Sequence, residues 1–300
     1  MKFAENNRIS HRQLYRQMVL AFLAPFLLCL PGENRVTGIS GIVGVAAAMV
    51  LLVIYSFFLR RLTPWYTDPI KTFGAAGGRI IGAFFLSYVA LTGAYLLDLM
   101  EELVPAVLIT GIPGIVISFL AAAVCSFGTH KGMQRRGRMA EVSGGVLLGG
   151  VLLMMVLCLW QITPEYFTEM TEAFVLQGKE VLKSCYGILA AFSGIGLLPF
   201  LLKDVEKRGT AGKPVVLGIV TLGGILMGML VLIPSVLGWQ RFRNEAYPVL
   251  PLLAGADLPG NVLARFDVLW MGFLLYSLLF ALGSLFHPQY IDRKSTRLNS

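Results

Sequence analysis

Eight stretches of this chain run for about 20 residues, the thickness of a bilayer core, with no acidic or basic side chain in their interior. They are Leu14–Leu30, Ile39–Leu59, Ile80–Leu97, Val104–Gly128, Val142–Gln161, Ser184–Leu202, Val215–Leu237 and Val268–Phe286. Arg16, close to the start of the first, is the one exception. In lipid every backbone N–H and C=O needs an internal partner, so blocks of this length read as membrane-spanning helices. A mean hydropathy of +0.72, with 56% hydrophobic and 14% charged residues, excludes a soluble domain. The expectation is an all-α polytopic membrane protein with one transmembrane domain over residues 1–292. Its spans are expected at about 11–31, 38–60, 78–104, 105–129, 142–162, 182–203, 213–238 and 267–287. The first block is too long for a cleavable signal, and no small-residue cleavage site follows it.

The net charge of +8 invites a nucleic-acid reading, and its distribution removes that reading. With the N-terminus inside, the inner connections collect 19 of the 25 Lys and Arg and only 6 of the 17 Asp and Glu. The basic excess is therefore a topology signal of the positive-inside kind, and it supports both the count of eight spans and an inside N-terminus. The lipid bilayer is the expected partner, not a polynucleotide. Cys29, Cys125, Cys158 and Cys185 each lie alone in or beside a different block, with no C-x-x-C or metal-ligand spacing. They read as small apolar filler. The three histidines lie at span ends without ligand spacing, and no cofactor is expected.

Ser10 followed by Gln13 is a capping-box pattern, so the first helix is expected to start there. Pro25 falls deep within that span and is expected to interrupt it near its middle. The sixth span carries Phe192-Ser193-Gly194-Ile195-Gly196 and then Pro199, residues that weaken a helix at mid-membrane. Such a break marks either a helix-packing surface or a binding site built from free helix ends. In the third span Tyr88, Thr92 and Tyr95 share one helical face, and Asp98, Glu101 and Glu102 follow at its outer end. Such a carboxylate cluster suggests a cation site, and its commoner reading is the solvated end of a helix. The basic run His130–Arg138 reads as an anchor on anionic lipid. Thr163-Pro164-Glu165 reads as the start of a short amphipathic surface helix. The long connection Gly238–Asp267 has the length of an outer loop with a short helix or lid.

Two short matches relate the first and sixth spans. Ala21-Phe22 and Leu27-Leu28 match Ala191-Phe192 and Leu197-Leu198 at one offset. The two spans lie five apart and enter the membrane from opposite sides. That is the relation expected of two inverted five-helix repeats.

Several segments are similar to one known family. Ile9-Ser10-His11-Arg12-Gln13-Leu14-Tyr15-Arg16 leading to Leu30-Pro31 resembles the opening of the B-type subunit of bacterial spore germinant receptors, the endospore germination permeases. The basic segment after span four, Pro259-Gly260 with Ala264-Arg265-Phe266-Asp267, and Phe192-x-Gly194 resemble that family's inner loop, its segment before helix eight and its sixth-helix break. The similarity runs over roughly residues 8–290. It implies the amino acid–polyamine–organocation transporter superfamily and its inverted-repeat fold of two five-helix halves. It also implies a sensor of nutrients such as amino acids in the spore inner membrane, with A-type and C-type receptor subunits as partners and ion release as the outcome.

The sequence departs from that pattern in two ways. Eight spans are counted against the family's ten, so the chain is expected to be truncated to about eight of ten helices. Residues 293–300 are a polar run that resembles translated adaptor sequence. The glycine pair often found in the family's first-helix break is replaced by Ala24-Pro25.

The resemblance places a small zwitterion between the two breaks. Its carboxylate would meet free N–H groups and its ammonium would meet free carbonyls, since no ionisable side chain lies at that depth. The residues expected to bind it are Ala24 and Pro25 from span one, Phe192, Ser193 and Gly194 from span six, and Tyr88 and Thr92 from span three. Tyr276 or Ser277 from span eight are weaker candidates. Interhelical hydrogen bonding is an equal reading for Tyr88 and Thr92. An ion-coupled amino acid transporter is the alternative. Proton coupling normally shows as a buried ionisable residue, and none is present at mid-depth. An enzyme is not expected, because the acidic groups have no histidine or nucleophile beside them.

Overall fold

The computed structural model of the chain describes residues 8–30, 38–66, 69–107, 111–129, 133–172, 176–206, 208–255 and 266–298. Pro31-Gly32, the loop 130–132, Phe174 and the segment 256–265 with Pro259-Gly260 and Ala264-Arg265 lie outside the described residues. The described chain is helical, and its β-structure is a single isolated bridge between Ile9 and Val205.

Helix α1 (His11–Leu28) starts at a capping box. The Ser10 hydroxyl accepts from the Gln13 N–H at 3.3 Å, and the Gln13 side chain accepts from the Ser10 N–H at 3.1 Å. Helix α2 (Gly38–Tyr66) and helix α3 (Pro69–Val107) follow, the latter kinked at Gly74. Helix α4 (Gly114–Thr129) has 16 residues and starts later than the apolar block that contains it. Gly111, at φ +92°, and Pro113 lie just before it and cannot extend a regular helix. Helix α5 (Met133–Leu159) leads to the short α6 (Pro164–Glu172), which begins at the expected proline.

The next crossing is made of pieces. Helix α7 (Gly178–Ala191) gives way to a 3₁₀ turn over Ser193–Leu197 and then to α8 (Leu198–Leu202), with a bend of 47° at the break. Helix α9 (Gly212–Leu237) ends at Gly238, whose φ of +82° turns the chain sharply into α10 (Trp239–Asn244). Helix α11 (Val249–Ala254) and the long α12 (Phe266–Leu298) complete the fold.

Five of these helices are long and apolar enough to cross a membrane: α2, α3, α5, α9 and α12, over Ile39–Thr63, Thr72–Pro105, Gln134–Leu159, Gly212–Leu237 and Val268–Phe286. Counted as one span, the bent pair α7 and α8 brings the number to six. The protein is thus an all-α, polytopic membrane protein. Its apolar side chains face both inward and outward, as lipid permits. Phe84, Phe119 and Phe127 are more than two-thirds exposed, at 74%, 72% and 77%. Helix α1 is the opposite case. It lies at the centre, packed against α5, α9 and α12 and touching α3 and α7. Leu14, Leu20, Leu23, Ala24 and Leu27 are all buried.

Close approach between α2 and α7 depends on Gly44. A Cβ there would lie 2.5 Å from the Ser184 Cβ and 2.9 Å from the Val181 carbonyl oxygen. Small residues at a helix crossing let backbones meet where lipid gives no hydrophobic drive. Main-chain bonds also tie the start of α1 to the end of the broken crossing. The Ile9 N–H donates to the Asp204 carbonyl at 2.8 Å, and the Glu206 N–H donates to the Ile9 carbonyl at 3.1 Å. At the same end Arg12 pairs with Glu141 at 3.2 Å and the Gln13 amide donates to Glu141 at 3.3 Å, joining α1 to α5.

At the opposite end the acidic group of α3 is used for tethering. Glu101 accepts from Ser118 on α4, and Glu102 accepts from Tyr247 in the connection after α10. Burial, and then the bond to Glu102, push the Tyr247 phenol well above its ordinary pKa. Among the described residues no group of three or more His, Cys, Asp or Glu is placed to hold a metal ion.

Candidate functional site

The break in the sixth crossing is a consequence of local sequence. Ser193, Gly194 and Gly196 favour departure from the α-helix, and Pro199 fits only the first turn of a new one. The chain therefore passes through a 3₁₀ turn. The Phe192 N–H still bonds to the Ile188 carbonyl at 3.0 Å, and the Ile195 N–H bonds to the Phe192 carbonyl at 2.8 Å. Ser193 and Gly194 remain half-buried, while Phe192, Ile195, Gly196 and Leu197 around them are buried. The Ser193 hydroxyl has no hydrogen-bond partner among the described residues.

Helix α3 supplies the polar group at this turn. The Tyr88 hydroxyl donates to the Ser193 carbonyl, and the Gly196 N–H is directed at the same hydroxyl oxygen. A Cβ on Gly196 would lie 2.5 Å from that oxygen, so only glycine admits the tyrosine. Thr92, one turn further along α3, donates its hydroxyl to the Tyr88 carbonyl at 2.9 Å. That leaves the Thr92 methyl facing Gly194, 3.7 Å from where a Cβ would stand.

Helix α1 supplies the apolar wall. Phe192 is fully buried and stacks on Phe22, with ring centroids 4.6 Å apart and planes 25° apart. Phe26 lies across the same ring at 3.7 Å between centroids. A Cβ on Gly194 would meet Phe22 at 3.4 Å. The half-open space at Ser193 and Gly194 is thus bounded by Phe22, Thr92 and Tyr88, with no Asp, Glu, Lys or Arg among these residues.

Ala24 and Pro25 behave differently from the expectation. Helix α1 is continuous from His11 to Leu28, with Pro25 inside it, and is not interrupted at its middle. The proline lies one turn before the helix end and gives the Ala21 carbonyl no α-helical donor, while its own carbonyl accepts from the Cys29 N–H at 3.0 Å. The local disturbance is one residue earlier. Ser277 of α12 accepts from the Ala24 N–H at 3.1 Å and donates to the Leu20 carbonyl at 2.6 Å. These are the two groups that face each other across one turn of an α-helix. Ser277 thus bonds both groups of that turn while α1 stays continuous.

Tyr276 is not brought to the break. Its hydroxyl meets Ser143 of α5 at 3.0 Å. Adjacent residues on a helix point about 100° apart, so Ser277 faces α1 while Tyr276 faces α5. The structure therefore gathers Phe192, Ser193, Gly194, Tyr88 and Thr92 at one place, turns the Ala24 N–H to Ser277 of α12, and sets Tyr276 apart against Ser143. Phe22 and Phe26 line the break and were not among the expected binding residues, while Gly196 was expected only as part of the break. The pairing of Ala21-Phe22 with Ala191-Phe192 is the signal that points to Phe22.

A second feature lies behind α1. Leu23, Leu27, Leu147, Val151, Met229 and Trp270 help to line an apolar cavity of about 10 Å³. That is room for roughly one water, and an apolar lining gives water nothing to bond.

Comparison with known proteins agrees with this architecture. A family model described as spore germination protein matches residues 8–287. The spore germination protein YndE of Bacillus subtilis (strain 168) is 21% identical over 311 residues, an alignment that covers 97% of this chain and 84% of that protein. No solved structure matches the chain. With the match spanning nearly every described helix, the chain belongs to the spore germination protein family and is a permease-like, multi-pass membrane protein of a spore-forming bacterium.

Proposed function

We propose that this chain is a nutrient-receptor subunit of the spore inner membrane that binds a small zwitterion, an amino acid, at the break of its sixth crossing. The observation that carries this reading is the turn at Ser193–Leu197. It is half-open at Ser193 and Gly194, walled by Phe22 and Thr92, and free of ionisable side chains. Backbone carbonyl and N–H groups are then the recognition elements, and a molecule with both an ammonium and a carboxylate satisfies both kinds. Binding at this point biases the packing of α1 against α7 and is the start of the signal that ends in ion release. The A-type and C-type receptor subunits are the partners in that signal.

We place the N-terminus inside, on the strength of the basic residues at that end of the helices. The stacking of Phe22 on Phe192, positions matched within the sequence, supports an inverted repeat of α1 and the α7–α8 crossing. An ion-coupled amino acid transporter of the same superfamily is the second reading, favoured by the same bent crossing. Uptake into proteoliposomes under an imposed ion gradient separates the two, since a receptor accumulates nothing.

The direct test is equilibrium binding of labelled L-amino acids to the purified protein in nanodiscs. Ser193→Phe and Gly194→Leu fill the half-open space and are expected to lower binding at least ~10-fold, the consequence of burying a side chain where the ligand sits. Leu217→Ala, on an exposed face of α9, is the control and binds as the unaltered protein does. Undiminished binding in both filled variants overturns the placement.

A further inference from the structure

Tyr88 occupies the break in the way a ligand would. We infer that its hydroxyl is an internal stand-in for the solute, holding the Ser193 carbonyl and the Gly196 N–H until a small amino acid displaces it. The inference rests on the reading of this break as a binding site and says what that site contains when empty.

The chemistry of the contact is specific. Ser193 and Gly196 are three residues apart, so their carbonyl and N–H form the donor–acceptor pair of a 3₁₀ turn. The tyrosine hydroxyl addresses both, donating to the carbonyl and standing before the N–H. The two also bond to each other within the 3₁₀ turn, so the hydroxyl is a second partner at this pair, one that an incoming solute can replace. Gly196 is the device that lets the hydroxyl in, because any Cβ there would stand 2.5 Å from it.

A zwitterionic amino acid offers the same two functions in stronger form. Its ammonium donates to the Ser193 carbonyl in place of the hydroxyl proton. Its carboxylate accepts from the Gly196 N–H in place of the hydroxyl oxygen. Charge-assisted hydrogen bonds are about twice as strong as neutral ones, which favours the exchange. The side chain of the incoming molecule then has one direction open, the space beside Gly194. There the Phe22 ring and the Thr92 methyl lie 3.4 and 3.7 Å from where a Cβ would be. Those two neighbours are apolar, which favours an aliphatic side chain over a charged one there.

Displacement also supplies a mechanical consequence. Tyr88 is a polar tether between α3 and the 3₁₀ turn, so its release loosens α3 at the break while the Phe85–Phe200 contact still joins α3 to α8. A ligand that merely filled a gap would leave that tether in place.

Tyr88→Phe tests the inference, since it keeps the ring and removes only the hydroxyl. Hydrogen exchange at Gly196, read by mass spectrometry without any ligand, is expected to speed up severalfold in this variant. Binding of the labelled L-amino acids that the unaltered protein takes is expected to tighten roughly 3- to 10-fold, the loss of one or two competing hydrogen bonds. The order of preference among amino acids stays the same, because Phe22, Thr92 and Gly194 are untouched. Unchanged exchange at Gly196 overturns the stand-in role whatever the ligand is. Faster exchange with weaker binding overturns displacement, because the hydroxyl would then be a ligand contact. Faster exchange with no amino acid bound by either protein overturns displacement by an amino acid and the proposed ligand class together, while Tyr88 remains the cap of the break.

Discussion

Phe22 of α1 stacks on Phe192 at the start of the break, ring centroids 4.6 Å apart and planes 25° from parallel. These are matched positions of the two short sequence similarities, so the aromatic contact joins the two elements at equivalent points. Phe26 closes the cluster at 3.7 Å from Phe192. Aromatic pairs contribute about 1 kcal/mol beyond their buried area. A double-mutant cycle with Phe22→Leu and Phe192→Leu is expected to give a coupling near that value, read from unfolding in mixed micelles. Phe192→Ala removes the whole ring from a fully buried site and is expected to cost about 3–5 kcal/mol. Independent effects of the two leucine substitutions would show that the stack is incidental.

Ser277 performs on α1 what Tyr88 performs at the break. Its hydroxyl stands between the Leu20 carbonyl and the Ala24 N–H, 2.6 and 3.1 Å away. Ser277→Ala removes the bridge from α12 with almost no change of volume, and α1 can close its own bond across the turn. Interhelical hydrogen bonds in membranes contribute about 0.6 kcal/mol on average and up to about 1.7. The expected outcome is a Tm lower by roughly 2–4 °C. Ser277→Val leaves α1 facing a branched apolar group and is expected to cost more than the alanine.

Much of the architecture was legible because lipid imposes it. Uncharged blocks of bilayer length mark the helices, and Ser10 with Gln13 marks where α1 starts. Ser193, Gly194 and Gly196 locate the turn between α7 and α8, since each favours leaving the α-helix. What could not be read was rotation and depth. Tyr276 and Ser277 are neighbours, and only packing decides that the serine meets α1. Pro25 promises an interruption in sequence, but α1 runs through it to Leu28. The approach of Tyr88 to Gly196 joins residues far apart in the chain. The glycine records the need for space without saying what fills it.

Arg136 near the start of α5 reaches across to α12. Its guanidinium donates to the Phe280 carbonyl and to Ser284 at 2.5 Å, and lies over the Phe280 ring at 4.1 Å from the centroid. No acidic side chain pairs with it among the described residues. Two donors and a planar cation are used at once, which an ammonium cannot reproduce. Arg136→Lys is therefore expected to destabilise the protein by about 1–3 kcal/mol, a range typical of charged hydrogen bonds. Arg135→Lys, an exposed neighbour, should shift the melting curve far less. Equal shifts for the two would mean that the contacts with α12 contribute little.

The bridge between Ile9 and Val205 joins the segment before α1 to the segment after α8, on the basic side of the molecule. Two main-chain bonds hold it, at 2.8 and 3.1 Å, and both side chains are buried. Residues paired across strands have Cα atoms roughly 5 Å apart, within disulfide range. The natural cysteines, Cys29, Cys125, Cys158 and Cys185, are free and first need replacing by alanine. In that background Ile9→Cys with Val205→Cys is expected to form a disulfide on mild oxidation in membranes. The sign is loss of the gel shift given by a polymer-linked maleimide after denaturation. If α1 and the broken crossing move against each other on ligand binding, the oxidised pair lowers the response to amino acid and reduction restores it. A disulfide that forms readily and changes nothing would show that these two ends stay together throughout. Failure to form it would place Ile9 and Val205 apart in the membrane.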